Sequence, residues 1–265
     1  MIPKSHPRYE SLVLRDKIVK AQKEGYLAES AMIAHGRGEA FDYLLGEKTT
    51  FPAKRAMYAA VATLLLSENP VISVNGNTTA LAIDEVIQFA KTVNAKIEIN
   101  LFYRTDERVE KITELYKKHG YSQILGTKDD DIKYLKSIKN ERASASKTGI
   151  YSADTVLVPL EDGDRAEILS KTGKKTITID LNPLSRTSQT SDISISRLFK
   201  YLLRYWYEKF SIQNKPILTS IGEPPVFSSY LLIFVAANIW QGVPTIAVFL
   251  LLIFFTSYAN IIILI

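Results

Sequence analysis

From Pro70 onward, short apolar runs alternate with amphipathic segments, and few folds are open to a chain patterned in this way. The short runs, rich in Val, Ile and Thr, fall at residues 71–74, 97–102, 123–125, 155–158, 176–179 and 193–195. Between them, apolar and charged residues recur at helical spacing over residues 79–92, 107–119, 131–144 and 165–171. Strands that are apolar on both faces must be covered on both, and crossover helices supply that cover, so the pattern specifies a mainly parallel sheet between helical layers. Residues 7–23, 29–45 and 51–68 add three helices ahead of the first strand, the second expected to be shortened or bent by Gly36 and Gly38. The expected architecture is a Rossmann-like three-layer α/β domain with an N-terminal helical cluster, over residues 1–196.

Residues 197–265 are of another kind. No charged residue follows Glu223, and from Tyr230 onward the chain is dominated by Leu, Ile, Phe, Val and Ala. Residues 243–265 are about the length of one transmembrane helix, and Arg204, Lys209 and Lys215 precede them, which favours a cytoplasmic position for that side. This tail carries five Lys or Arg against two acids, so +3 of the formal net charge of +5 belongs to it and the body is nearly neutral. A body without a basic stripe offers little to a phosphate backbone, so nucleic acid is not expected as a partner. The absence of cysteine excludes disulfides, thiolate metal sites and a Cys nucleophile, in agreement with a cytoplasmic protein. His6 and His35 belong to no H-E-x-x-H pattern, so a catalytic zinc is not expected.

Candidate chemistry gathers where strands end. The segment Ala34-His35-Gly36-Arg37-Gly38-Glu39 sets two glycines around an arginine, a combination that lets backbone approach an anion while a guanidinium fork grips it. A polar helix-start loop with a surface Arg would have the same local pattern. Gly46-Glu47-Lys48-Thr49 resembles the end of a P-loop, but Glu47 separates the glycine from the lysine and no strand precedes it. After the first strand, Asn75-Gly76-Asn77-Thr78 opens a helix, where Asn77 or Thr78 can cap and free N–H groups suit an anion. Arg104 sits at the next strand end, whereas Arg108, one turn into a helix, reads as a solvated charge. Glu161, Asp162 and Asp164 surround Gly163 and precede Arg165. These acids suit a divalent ion, a ribose or an amine, or simply cap the following helix. Asp180-Leu181-Asn182-Pro183-Leu184-Ser185-Arg186-Thr187 brings an acid, an amide and an arginine to one loop.

The runs AHGRGEAFDYLLGE (34–47), PVISVNGN (70–77), NLFYRT (100–105), VLVPLEDGDR (156–165) and IDLNPLSRT (179–187), with His6 to Tyr9 and Leu14-Arg15, resemble the archaeal 4-phosphopantoate–beta-alanine ligases, the phosphopantothenate synthetases. That resemblance implies a homodimer of Rossmann-like fold that uses ATP, with Mg2+, to join 4-phosphopantoate and beta-alanine into 4'-phosphopantothenate, AMP and diphosphate by way of an acyl-adenylate. The family's ATP contacts fall on Arg15, Arg37, Asp180, Leu181, Asn182, Arg186 and Thr187. A further pair, Asn-Ile in the family, falls on Leu198 and Phe199 and does not match. Arg37 and Arg186 are the expected catalytic arginines; Asn77, Arg104 and Arg165 are candidates for the substrate phosphate. Two other classes compete: a nucleotide-binding regulatory module, or inactive synthetase, on the same fold, and a protein whose membrane tail is the functional part. The resemblance breaks near Ser196, so the tail reads either as an anchor, which makes a membrane a partner, or as translation in a shifted frame. A shifted frame also accounts for the lost Asn-Ile pair, and such a tail should pack poorly against the body.

Overall fold

The computed structural model describes residues 2–135, 143–160 and 163–196. All lie in the first of the two units into which the chain divides, Met1–Glu208. Three helices come first, α1 (Tyr9–Lys23), α2 (Glu29–Leu44) and α3 (Phe51–Leu66). The α/β pattern follows as β1 (Pro70–Val74), α4 (Gly76–Thr92), β2 (Lys96–Ile99) and α5 (Asp106–Lys118). It continues through β3 (Ile132–Tyr134), β4 (Ser144–Ser146), β5 (Thr155–Pro159), α6 (Gly163–Lys171), β6 (Lys175–Ile179), α7 (Arg186–Thr190) and β7 (Ile193–Ile195).

Five strands form one sheet in the order β2-β1-β5-β6-β7, and each neighbouring pair is parallel. All residues of β1 and β5 are buried, as central strands covered on both faces require. Val71, Val156, Val158, Ile150 and Leu169 belong to one core cluster, and burial of such a side chain contributes roughly 1.5–3 kcal/mol. The chain leaves β1 for β2 on one side and leaves β5 for β6 and β7 on the other. The loops after β1 and β5 therefore diverge and open a crevice at the carboxyl edge, where α/β sheets bind ligands.

Helix starts follow their caps. Thr50 accepts from Ala53 N at 3.3 Å ahead of α3, and Thr105 from Arg108 N at 3.3 Å ahead of α5. Asn75, rather than Asn77 or Thr78, caps α4, its Oδ1 2.9 Å from Thr78 N. Four further expectations are corrected. Gly36 and Gly38 do not interrupt α2, which runs unbroken from Glu29 to Leu44; a glycine costs only about 1 kcal/mol in a helix, and Gly38 is seated against Leu181, described below. Residues 123–125 form a single parallel bridge between Glu98 and Leu125, not a strand. The helix expected over 131–144 is absent from its ends, which pair as the antiparallel strands β3 and β4; residues 136–142 lie outside the described residues. Arg108 is not a solvated charge: it is half-buried and donates to the carbonyls of Tyr26 and Tyr103, tying α5 to the turn after α1. Among the described residues, no helix is long and apolar enough to cross a membrane. Glu161, Asp162, Leu198, Phe199 and the apolar tail lie outside the described residues.

Candidate active site

The crevice is built by lacing three strand ends together. Asn75, which caps α4, donates from Nδ2 to the carbonyl of Leu160 at 3.3 Å, joining the loop after β1 to the loop after β5. Leu160 adopts φ +59°, a left-handed conformation that costs a non-glycine residue about 1–2 kcal/mol. In that conformation its N–H reaches the carbonyl of Ile179 at 2.9 Å, the last residue of β6.

The loop after β6 is organised by its own side chains. Asp180 is buried, and its Oδ1 accepts from Asn182 N at 3.0 Å while Oδ2 accepts from Ser185 Oγ at 2.6 Å. Ser185 Oγ also accepts from Ser188 N at 3.1 Å and so caps α7. Asn182 accepts from Leu184 N at 2.9 Å through Oδ1 and from Ser188 Oγ at 2.9 Å through its carbonyl. Thr187 is buried, while Arg186 at the head of α7 keeps 58% of its side chain exposed and pairs with Asp164 of α6, with Glu167 at 3.8 Å. Gly163 permits that approach, since a Cβ there would lie 3.3 Å from Arg186 Nε.

Helix α2 closes the crevice from the N-terminal side. A Cβ on Gly38 would stand 3.1 Å from Leu181 Cδ1, so glycine lets the helix seat directly on the 180–187 loop. Two sequence-distant motifs are thereby in contact, and Arg37 rides exposed on the same helix. Ala34, His35 and Gly38 from α2 meet Asn77, Leu160, Asp180 and Leu181 around a small cavity of about 30 Å³. His35 also lines a wider cleft of about 360 Å³ between α2 and the N-terminal residues, with Lys4, Arg8, Glu39 and Glu47 in its wall. Arg15 of α1 holds Glu39 through Nε at 2.8 and 3.1 Å to the two carboxylate oxygens. Arg8 shares that carboxylate at 3.1 Å and stands 5.1 Å from the Tyr43 ring centroid. This hydrogen bonding, chiefly from Arg15 and Ser11, keeps Glu39 below the ordinary glutamate pKa although desolvation opposes it.

Two predicted arginines stand elsewhere. Arg104 donates to the carbonyl of Gly126 at 2.7 Å beside the end of β2. Arg165 is completely buried, donates to Ser144 O at 2.9 Å, and feels the buried carboxylate of Glu98. Glu98 in turn accepts from Ser146 N at 3.0 Å and Ile150 N at 2.6 Å, so this group fastens the segment around β4 to the sheet. Burial raises the Glu98 pKa and lowers that of Arg165 to about 10. The signal for Glu98 was its place within the apolar run at 97–102, where a lone acid needs buried donors. Sequence reasoning also missed Asn75 and Leu160, which nothing in local pattern sets apart, and gave His35 no role.

The sequence profile of the phosphopantothenate/pantothenate synthetase family matches residues 52–205. The 4-phosphopantoate–beta-alanine ligase of Thermococcus kodakarensis is 50% identical over 227 residues, 84% of this chain and 86% of its own length. Ligases of the same name from Thermococcus onnurineus and Methanosarcina mazei are each 55% identical, over 195 and 194 residues, covering 73% of this chain and 74% and 76% of their own. At this identity and coverage, the chain belongs to the phosphopantothenate/pantothenate synthetase family.

Proposed function

We propose that this chain is an ATP-dependent ligase that joins 4-phosphopantoate to beta-alanine in coenzyme A biosynthesis, acting as a cytoplasmic homodimer. The observation that carries the reading is the seating of Gly38 on Leu181, which sets the Arg37 helix against the Asp180–Thr187 loop at the sheet's carboxyl edge. Arg15, Arg37 and Arg186 hold the triphosphate, while Asp180, Leu181, Asn182 and Thr187 receive the rest of the nucleotide. Asn77, at the head of α4, offers the N–H of its side-chain amide to the phosphopantoate phosphate beside the helix N-terminus, where anions are favoured, and leaves its Oδ1 for another donor.

A carboxylate oxygen of 4-phosphopantoate attacks the α-phosphorus of ATP and diphosphate leaves; the beta-alanine nitrogen then attacks the acyl-adenylate carbonyl and AMP leaves. No side-chain nucleophile is needed. The protein's part is to align the reactants and to oppose the charge that develops on phosphate oxygens. Mg2+ would enter with the nucleotide, with phosphate and water supplying most of its ligands, and would neutralise charge on the phosphates.

Incubation with ATP labelled in the α-phosphate tests the proposal. AMP and diphosphate should form only when 4-phosphopantoate and beta-alanine are both present at turnover. ADP and free phosphate accumulating in step with the amide would refute attack at the α-phosphorus.

A further inference from the structure

His35 lines both cavities of the site, the cleft of about 360 Å³ beside α1 and the cavity of about 30 Å³ at the strand ends. Its Nε2 is buried and has no hydrogen-bond partner among the described residues, and the same is true of Oδ1 of Asn77. Both residues line the smaller cavity, together with Asp180. Unpartnered buried polar atoms are uncommon, because each costs about 1–3 kcal/mol. Here an amide oxygen, a neutral imidazole nitrogen and a carboxylate surround a space of about 30 Å³. The amide oxygen and the carboxylate accept hydrogen bonds, as does Nε2 in the tautomer with its proton on Nδ1, and an ammonium group carries three donors in a volume of that order.

Resting on the ligase reading above, we propose that this cavity is the subsite for the ammonium group of beta-alanine and that His35 is the base that deprotonates it. An N–H bond of the ammonium breaks and the proton passes to Nε2. The freed lone pair forms the C–N bond to the acyl-adenylate carbonyl. The C–O bond to the phosphoryl oxygen breaks, its electron pair stays on AMP, and AMP leaves carrying the second proton that the nitrogen sheds. Nitrogen thus ends with one hydrogen, His35 with one proton gained, and charge is conserved.

The protonation state required is the one the surroundings favour. Desolvation holds the His35 pKa below the ordinary imidazole value, against the pull of Glu39 on its own helix and with the push of Arg15 on α1. Lys4, His6, Arg8 and Glu10 face the cleft from the N-terminal side. Asp42 and Glu47 face it from α2 and the turn beyond, and Asp180 faces the smaller cavity from the end of β6. Burial thus favours the uncharged imidazole, the form that can accept a proton.

The test uses the full chain and its H35Q variant, with H35N as a second variant should H35Q fold poorly, and compares two rates. Phosphopantoate-dependent exchange of labelled diphosphate into ATP reports adenylation; amide formation reports the whole reaction. The ratio of amide formation to exchange should fall about 10²–10⁴-fold in H35Q, the span of a general base. The acid limb of the wild-type kcat/KM profile for beta-alanine should disappear with it. Hydroxylamine, largely unprotonated at neutral pH, should be acylated by H35Q to within a few-fold of wild type. An unchanged ratio overturns the proposal, and so does an equal loss with hydroxylamine, which would make His35 a structural residue. If the wild type shows no phosphopantoate-dependent exchange, the ligase reading fails and the subsite falls with it.

Discussion

Replacing Arg165 with Met keeps most of the side-chain volume but removes a charge that is 0% exposed and sits near Glu98, itself 1% exposed. The hydrogen bond to Ser144 O at 2.9 Å is lost, a charged bond of about 1.5–3 kcal/mol. The Glu98 carboxylate also loses its opposing charge in a low-dielectric interior, and breaking a buried pair from one side typically costs about 3–5 kcal/mol in all. That is a large part of the roughly 5–15 kcal/mol that holds a domain together. The loss has a pH signature. Burial already raises the Glu98 pKa, and Arg165 counteracts the rise. Without Arg165 the folded-state pKa climbs further above the unfolded one. A group shifted in this direction favours the folded state below its unfolded pKa and loses that contribution as pH rises through the folded value. The deficit of R165M should therefore be largest at neutral pH and shrink toward acid. Urea denaturation of wild type, R165M and R165M/E98Q at several pH values measures it, with the double variant recovering part of the loss at neutral pH. A neutral-pH deficit below about 1 kcal/mol, or one that does not change with pH, would refute the argument.

Gly149→Ala should lose at least about 2 kcal/mol in thermal or urea unfolding, because the added Cβ would overlap Glu98 Oε2 and force that carboxylate off the amides of Ser146 and Ile150. Arg186→Ala should cut turnover about 10²–10³-fold while stability moves by no more than about 1 kcal/mol, since its ion pair is more than half exposed; unchanged ATP dependence in the folded variant removes Arg186 from the nucleotide. Ser185→Ala should destabilise by about 1–2 kcal/mol and raise KM for ATP, as α7 loses its cap and Asp180 a donor; steady-state kinetics with a melting curve checks both.

The alternation after Pro70 was enough to specify the parallel sheet, because β1, β5 and β6 are buried on both faces and little except crossover helices covers such strands. The same reasoning failed over residues 131–144. There the segment is held by Glu98, whose carboxylate organises Ser146 and Ile150 from a strand 48 and 52 residues away. No local window contains both partners. Gly38 shows the other way in which local reading fails. Its cost to a helix is small and visible, whereas its benefit, the seating on Leu181 at 3.1 Å, lies 143 residues along the chain. His35 was legible only as one of a few histidines, since its significance is to line two cavities that the fold creates.

The arginines divide by how firmly their partners hold them, and this division bears on which can serve a triphosphate. Arg186 keeps 58% of its side chain exposed in its pair with Asp164, itself 47% exposed, whereas Arg15, 46% exposed, pairs with a Glu39 that is only 12% exposed. A pair as open to solvent as Arg186–Asp164 contributes about 0–1 kcal/mol. An arriving phosphate, which offers bidentate geometry and more charge than one carboxylate, can therefore displace Asp164 at little cost. Arg165 is the opposite case. Its guanidinium is fully buried, and withdrawing it would forfeit several kcal/mol that no surface contact restores. On the proposed function, the resting carboxylate of Asp164 keeps Arg186 oriented until nucleotide arrives. If so, D164N should loosen Arg186 and raise KM for ATP several-fold with kcat nearly retained, because the anchor acts before binding and not during the chemistry. A D164N protein whose kcat collapses while KM stays fixed would instead place Asp164 among the groups that act on the reacting phosphate.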